Sequence, residues 1–244
     1  MLKNKEYSNI LLVGSTSEIG LAIIEKISKS KKSTVFFVGR SEPNLPLYLY
    51  RNIRTEFIYC DLLNLNTVDK ALKKIKRSFK IDLMILAAGY LPNENTEFDS
   101  QTVRNTLQVN ALSSIIILTE VANEMVKIGV GDILVLSSVA GIRARLKNFT
   151  YGSSKSALDF YAIGLANKLR KKCVRVLIIR PGFVYTKMTT NFKAAPFAID
   201  SYEVGRIAAS AINSKKTVIY APRKLKFIMN ILRILPRSIF NRFG

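Results

Sequence analysis

The sequence contains no histidine among its 244 residues. This absence excludes a Ser-His-Asp triad, a Cys-His dyad and any metal site built on imidazole, so proton transfer must use tyrosine, lysine or a carboxylate. Two cysteines, Cys60 and Cys173, lie far apart without the spacing of metal ligands. Each borders an apolar run, which predicts two buried free thiols in a reducing compartment and no metal centre.

Acidic residues are also scarce, with 17 Asp and Glu against 38 Lys and Arg and a formal net charge of +21. Such a surface attracts phosphate, whether of nucleic acid, anionic lipid or a substrate. The basic residues are scattered and lack an aromatic stacking platform, so a nucleic-acid-binding or nucleotide-sensing module is the weaker alternative. Neither a signal peptide nor an apolar run of membrane-spanning length is evident, which favours the cytoplasm.

Short runs rich in β-branched residues alternate with segments of helical periodicity, such as 17–30 and 67–79. Most of the strand candidates are apolar throughout, as strands covered on both faces are. They are NILLVG, TVFFVG, TEFIYC, LMILAA, DILVLSS, VRVLIIR and TVIYA. The alternation predicts a single α/β domain with a parallel sheet, right-handed crossovers and helices on both faces. Pro43 and Pro46 predict a loop where a full helix would otherwise follow the second strand.

The first strand runs into a glycine-rich turn and then a helix. In this arrangement backbone amides and a helix N-terminus receive a pyrophosphate. Gly14 permits the tight turn, and Gly20 permits close approach of the helix. The residues between them complete this predicted cofactor loop: Ser15, Thr16, Ser17, Glu18 and Ile19.

Further cofactor contacts are predicted at the ends of later strands. Asp61, followed by Leu62, comes after the third strand, where its carboxylate could accept from an adenine amino group or cap a helix. Ala88 and Gly89 end the fourth strand and leave room for a ribose. Arg40 ends the second strand, where an acidic partner of the ribose 2′-hydroxyl is usual. Arg40 favours a 2′-phosphate and hence NADPH, although an arginine could also stack on the adenine of either cofactor.

Ser138, Tyr151 and Lys155 form the candidate catalytic group, in the segments LVLSSVAG and TYGSSK. Tyr151 and Lys155 are spaced to share one helix face. An ammonium beside a phenol is expected to lower the phenol pKa, which would let Tyr151 exchange protons near neutral pH. Ser138 at a strand end could hydrogen-bond a reacting carbonyl. The group predicts interconversion of an alcohol and a ketone, whereas the Tyr–Lys pair alone would more often be a solvated helix face.

The glycine loop, CDL, the Asn110 segment, LSSVAG, YGSSK and RPGFVYTKM together resemble the short-chain dehydrogenase/reductase family over nearly the whole chain. The resemblance implies a Rossmann sheet of order 3-2-1-4-5-6-7 and a reductase that uses NADPH or NADH. Ser138 would orient the carbonyl, and Tyr151 would be the acid–base. Lys155 would hold the nicotinamide ribose and tune Tyr151, and Asn110 would support a water that relays protons to Lys155.

The same resemblance implies a nicotinamide pocket lined by Pro181, Gly182, Val184 and Thr186. It also implies a homodimer or homotetramer, assembled through the helix that carries Tyr151. The sequence departs from the family in two places. Glu18 replaces the middle glycine of the loop, and Leu86-Ala87-Ala88-Gly89 replaces the usual Asn-Asn-Ala-Gly.

GSTSEIGLAI, RPGFVYTKM followed by KAAPF, and ILPRSIF near the end resemble one subgroup, the decaprenylphosphoryl-2-keto-pentose reductases. This resemblance implies reduction of a polyprenylphosphoryl 2-keto-pentose to the arabinofuranose used for cell-wall arabinan, after a flavin-dependent oxidase partner. It also makes Glu18 a subgroup trait. The subgroup uses NADH, against the indication from Arg40. A steroid, a sugar or a 3-oxoacyl thioester is the alternative substrate.

Five basic residues are candidates for contact with a substrate phosphate, with ordinary basic surface as the alternative. Three precede Tyr151 and two follow the Pro181-Gly182 pair: Arg143, Arg145, Lys147, Lys187 and Lys193.

Residues 223–244 are predicted to form a basic amphipathic segment beyond a Rossmann domain of residues 1–222. The segment holds six basic residues and no acid. On a helical wheel its polar side occupies about a quarter of the circle, and consists of Arg223, Lys226, Asn230, Arg233 and Arg237. Such a helix could bind an anionic membrane peripherally, here the inner face of the plasma membrane, or pack on the protein body or on a subunit partner.

Overall fold

The computed structural model describes residues 5–28, 33–50, 53–78, 80–96, 99–236 and 238. The strands are β1 (Asn9–Val13), β2 (Ser33–Gly39), β3 (Ile53–Tyr59), β4 (Leu83–Leu86), β5 (Gly131–Leu136), β6 (Val174–Pro181), β7 (Val184–Tyr185), β8 (Ile199–Asp200) and β9 (Val218–Ala221). The α-helices are α1 (Glu18–Ile27), α2 (Leu47–Tyr50), α3 (Leu65–Ser78), α4 (Ser100–Leu107), α5 (Ser114–Ile128), α6 (Phe149–Leu169), α7 (Ser201–Ile212) and α8 (Leu225–Ile234).

Seven strands form one parallel sheet in the order β3-β2-β1-β4-β5-β6-β9. The predicted α/β Rossmann fold and strand order are therefore confirmed. The seventh strand of the sheet is the ninth in the chain because β7 and β8 pair with each other as a separate ribbon. The strand order reverses direction between β1 and β4, and ligands of such sheets bind at the carboxyl ends beside this point.

The sheet is covered by helices on both faces. Leu11 belongs to the core that includes Leu118 of α5, whereas Leu12 belongs to the core that includes Ile23 of α1 and Val204 of α7. Successive side chains of a strand point to opposite faces, so a strand covered on both sides is apolar at every position. This explains the uninterrupted apolar runs of the sequence.

The expectation of two buried thiols holds at Cys60 and is wrong at Cys173. Cys60 is buried, and burial raises the pKa of its thiol to about 11. Cys173 is exposed because it lies in the turn of residues 170–173 that joins α6, which ends at Leu169, to β6.

The expectation that no segment reaches membrane-spanning length is also wrong. The helical stretch Ser100–Ile128 is long enough and has a mean hydropathy of 1.3 in its most apolar window. Half of that window is buried in the protein. Val121 and Met125 lie in the core beneath the sheet, which accounts for the apolar composition of this stretch.

The predicted C-terminal amphipathic helix is present as α8. Leu225 and Met229 are buried against Tyr220 of β9 and Val139. The other side of the helix is open, and three apolar side chains at i, i+4 and i+7 are exposed there. These three, named here the α8 stripe, are Phe227, Ile231 and Ile234. The helix thus packs on the protein body through Leu225 and Met229 and leaves the α8 stripe uncovered. Residues 237 and 239–244 of the predicted segment lie outside the described residues.

Candidate active site

A cleft of about 640 Å³ opens at the carboxyl ends of the central strands. Most of the site residues predicted from the sequence line it: Gly14, Thr16, Ser17, Glu18, Ile19, Arg40, Ala88, Gly89, Ser138, Arg145, Tyr151, Lys155, Pro181, Gly182, Val184, Thr186, Lys187 and Lys193. Other predicted residues lie outside that lining: Ser15, Gly20, Asp61, Leu62, Asn110, Arg143 and Lys147.

The glycine loop is pressed against the end of β4. Gly14 has a φ of 95°, and a Cβ atom there would lie 2.7 Å from the backbone nitrogen of Ala88. Ser17 caps α1, since its hydroxyl accepts from the backbone N–H of Gly20 at 3.2 Å. The first turn of α1 lines the cleft with Glu18 and Ile19. This geometry fits the pyrophosphate of a dinucleotide, which needs close approach of backbone amides and a helix N-terminus.

Ser15 and Asp61 have partners outside the cleft. The buried Ser15 hydroxyl donates to the carbonyl of Ser41 at 2.7 Å, tying the loop to the chain after β2. The Asp61 carboxylate accepts from the backbone N–H of Leu63 at 3.1 Å. This bond closes a local turn before α3, which begins at Leu65, so Asp61 does not cap that helix, and its contact with adenine stays a prediction. The carbonyl of Leu62 accepts from Ser113 and contributes to the same turn.

Ser138, Tyr151 and Lys155 meet at the base of the cleft. Ser138 follows β5, while Tyr151 and Lys155 occupy the first turns of α6. The hydroxyls of Ser138 and Tyr151 are hydrogen-bonded to each other. The Lys155 Nζ donates to the carbonyl of Leu136 at 3.1 Å and lies 5.9 Å from the centre of the Tyr151 ring. The structure places close together the three side chains that the sequence predicted as one group.

The expected direction of the Tyr151 pKa is wrong in this structure. Burial raises the pKa of Tyr151 to about 12, and the Ser138 hydrogen bond opposes this rise. Burial also lowers the pKa of Lys155 to about 8. Removing a group from water disfavours its charged form, whether phenolate or ammonium. At this depth desolvation outweighs the attraction between the two groups that the helix spacing suggested.

Asn110 lies within a π-helical turn, Gln108–Ser113, between α4 and α5. Its amide accepts from the backbone N–H of Tyr90 at 2.6 Å and donates to the Tyr90 carbonyl at 2.8 Å and to Ser154 at 2.9 Å. A Cβ atom at Gly89 would lie 3.6 Å from Lys155 Nζ and 3.7 Å from Asn110 Oδ1. Asn110 is therefore held beside Lys155, behind the cleft wall.

A buried polar network next to this group was not predicted from the sequence. Asp159 lies one turn beyond Lys155 on α6 and accepts from Ser137 at 2.6 Å. It also accepts from two guanidinium nitrogens of Arg180, at 2.9 and 2.6 Å. Arg180 in turn donates to the hydroxyl of Tyr220 at 2.8 Å. The network joins α6 to β6, to β9 and to Ser137, which lies between the end of β5 and Ser138.

The five basic candidates separate into two groups. Arg145, Lys187 and Lys193 line the cleft, and burial lowers the pKa of Arg145. Arg143 lies outside the cleft lining and is turned toward α8, where its guanidinium donates to the carbonyl of Leu232. Its contact with a substrate phosphate stays a prediction. Lys147 is exposed on the same loop.

The fold, and a cleft with Ser138, Tyr151 and Lys155 at its base, are those of an oxidoreductase of the Rossmann class. Residues 8–196 match the short chain dehydrogenase family, and the chain belongs to that family.

Two relatives are uncharacterized oxidoreductases. The one from Mycobacterium tuberculosis H37Rv is 37% identical over 163 residues, which cover 66% of each chain, just under two thirds of that relative. The one from Streptomyces coelicolor is 30% identical over 244 residues, 96% of this chain and 95% of that protein.

Solved structures are similar over most of the chain. A short chain dehydrogenase from Burkholderia cenocepacia in complex with NADP has a TM-score of 0.77 at 19% identity and 97% coverage of both chains. The 3-oxoacyl-[acyl-carrier protein] reductase from Brucella melitensis in complex with NAD has a TM-score of 0.74 at 19% identity, covering 89% of this chain and 96% of that one. At these identities the likeness concerns the fold.

Proposed function

We propose that this oxidoreductase reduces the 2-keto group of a polyprenylphosphoryl pentose with NADPH or NADH, giving polyprenylphosphoryl arabinofuranose for cell-wall arabinan. The observation that carries the reductase assignment is the Ser138–Tyr151 hydroxyl pair beside a buried Lys155. A flavin-dependent oxidase would supply the ketone as partner enzyme. The motif resemblance to the decaprenylphosphoryl-2-keto-pentose reductases supports the substrate.

When bound, the nicotinamide supplies the hydride to the keto carbon. Ser138 and Tyr151 bind the carbonyl oxygen as negative charge develops on it. With a pKa of about 12, Tyr151 carries its proton at neutral pH and donates it to that oxygen. The Lys155 ammonium stabilises the charge that this transfer leaves on Tyr151. Asn110, held beside Lys155, would support the water that returns the proton.

The nucleotide preference depends on Arg40. This residue is exposed at the end of β2 and lines the cleft. A guanidinium there can pair with a 2′-phosphate, which supports NADPH. The subgroup resemblance supports NADH, and the two solved structures hold NADP and NAD respectively. Arg40→Ala should raise the KM for NADPH more than that for NADH if the guanidinium contacts the 2′-phosphate.

A polyprenyl phosphate requires cations for its phosphate and an apolar environment for its tail. Arg145, Lys187 and Lys193 provide cations along the cleft. Segment 223–244 provides the second requirement, because the α8 stripe is exposed beside basic side chains. We propose that the protein is cytoplasmic and that this segment, which follows the 1–222 domain and packs on it through α8, binds the inner face of the plasma membrane.

The test is oxidation of NADH and, separately, NADPH by the purified protein with decaprenylphosphoryl-2-keto-pentose in detergent. Turnover that disappears in Tyr151→Phe is expected, and the preferred nucleotide assigns the role of Arg40. Binding of a nucleotide without turnover of this ketone would refute the substrate while leaving the family activity intact.

A 3-oxoacyl thioester on an acidic carrier protein is the second candidate, favoured by the basic surface. The same assay with that substrate separates the two. A soluble carrier does not need the α8 stripe, so removal of the stripe should then leave the turnover of carrier-bound substrate unchanged.

A further inference from the structure

The proposed reaction does not use the side chain of Glu18, although this residue lines the cleft. It is the first residue of α1 and borders the cleft where a glycine is usual in the resembling family. Its Oε2 accepts a hydrogen bond from the backbone N–H of Lys187 at 2.8 Å. This bond crosses the cleft, since it joins the glycine loop to the segment that follows β6.

The segment contacted by Glu18, residues 183–200, borders the mouth of the cleft. Its two ends are held together by β7 and β8, where Val184 pairs with Ile199. Inside it, Thr186 and Thr189 close a short turn that begins with Lys187. Across the part of the chain that the structure describes, the other hydrogen bonds of residues 187–198 stay within 183–200. Among the described residues, Glu18 therefore provides the hydrogen bond that ties this stretch to an element outside 183–200.

We propose that Glu18 is a positioning residue that clasps segment 183–200 over the cofactor. A carboxylate suits this task because a charged acceptor makes a stronger hydrogen bond to an N–H group than a neutral one does. The first turn of a helix also stabilises its negative charge. The inference rests on the proposed function in one respect, that a dinucleotide occupies the cleft.

The Glu18 carboxylate should also weaken the binding of the dinucleotide, and this effect can be measured. A negative charge at the end of α1 repels the pyrophosphate that the same helix end attracts. Glu18→Gln keeps an acceptor oxygen of the same reach and removes the charge. This variant should keep the segment closed and bind NADH more tightly than the unmodified protein. Glu18→Ala removes the acceptor, so the segment should open and NADH should dissociate faster.

The first experiment is hydrogen–deuterium exchange of the peptide that contains the Lys187 amide, measured by mass spectrometry without nucleotide or substrate. Exchange should quicken about tenfold or more in Glu18→Ala, the loss expected for one charge-assisted hydrogen bond. It should quicken less in Glu18→Gln, whose neutral amide oxygen still accepts from the Lys187 amide. Glu25→Ala, on the same helix but away from segment 183–200, is the matched control. This readout does not depend on the identity of the ketone.

Stopped-flow dissociation of NADH and single-turnover hydride transfer complete the test. The clasp predicts faster dissociation of NADH in Glu18→Ala than in Glu25→Ala. Hydride transfer at saturating NADH should slow less than dissociation quickens, because Ser138, Tyr151 and Lys155 lie on other elements. Lys187 exchange in Glu18→Ala equal to that of the unmodified protein would overturn the proposal. The proposal would also be overturned if Lys187 exchange quickened equally in Glu18→Ala and Glu25→Ala and both variants unfolded at a lower midpoint. That pattern would show that α1 as a whole is loosened.

Discussion

Lys155 and Tyr151 illustrate how burial changes the chemistry of a residue pair. In water the pair would be an ammonium and a phenol with ordinary pKa values, and helix spacing would add a modest attraction. Inside the cleft both charged forms are disfavoured, so the pKa of Tyr151 rises to about 12 and that of Lys155 falls to about 8. Tyr151 is then a proton donor, as reduction requires, and Lys155 becomes the group that titrates near physiological pH.

The pH dependence of reduction should follow Lys155. Below about pH 8 the ammonium is present and stabilises the charge left on Tyr151. Above that pH the lysine loses its proton, so kcat should fall as pH rises, with one bend. Steady-state kcat between pH 6 and 10 measures this. Lys155→Met should abolish the bend and lower kcat about 100-fold or more. A flat profile to pH 10 in the unmodified protein would contradict the assignment.

Asp159 should be important for stability because it is a buried carboxylate held by Arg180. Asp159→Asn leaves the Arg180 charge without its partner, and breaking a buried pair costs about 3–5 kcal/mol. Chemical denaturation of the variant measures this loss. Glu203→Gln, which breaks the exposed Glu203–Arg206 pair, is the control and should leave stability unchanged. Equal effects of the two changes would contradict the role of Asp159.

At the scale of elements, the sequence was sufficient for features that depend on local pattern. Apolar runs identified the strands of the sheet, and the glycine loop identified the turn that joins β1 to α1. The bond from Glu18 to Lys187 and the pair of Asp159 with Arg180 could not be predicted, because each depends on how distant segments pack. The predicted direction of the Tyr151 pKa shift was wrong for the same reason, because the depth of burial decides that direction.

The helix α8 should bind anionic lipid through its exposed stripe. Replacing Phe227, Ile231 and Ile234 by serine removes the apolar contact and leaves the basic side chains, so co-flotation with phosphatidylglycerol vesicles should fall about tenfold or more. Vesicles of neutral phosphatidylcholine should bind the unmodified protein more weakly.

The matched control places serine at Tyr48, Leu65 and Tyr202, which are exposed and lie on other elements. This control should float as well as the unmodified protein. Equal flotation of the stripe variant and the control would show that α8 is not the lipid contact.

At the scale of the whole molecule, the outer face of α6 is the expected subunit contact. Phe160 is 82% exposed on this helix, and Leu107 and Leu112 are exposed on the helical stretch packed beside it. An apolar patch formed by two neighbouring elements is typical of an association surface. A two-fold axis through this patch would pack α6 of one subunit against α6 of the other and bury Phe160 in both.

Phe160→Glu should therefore convert the protein from a dimer or tetramer into a smaller species, because two buried carboxylates would face each other across the axis. Light scattering coupled to size-exclusion chromatography measures the mass. Phe227→Glu, an equally apolar and exposed position on α8, is the control and should keep the mass of the unmodified protein. Assembly through α6 would be contradicted if the unmodified protein were a monomer. It would also be contradicted if the unmodified protein, Phe160→Glu and Phe227→Glu all had the same mass. Since α6 also carries Tyr151 and Lys155, assembly through this face would brace the catalytic helix, and the monomeric variant should lose kcat as well as mass.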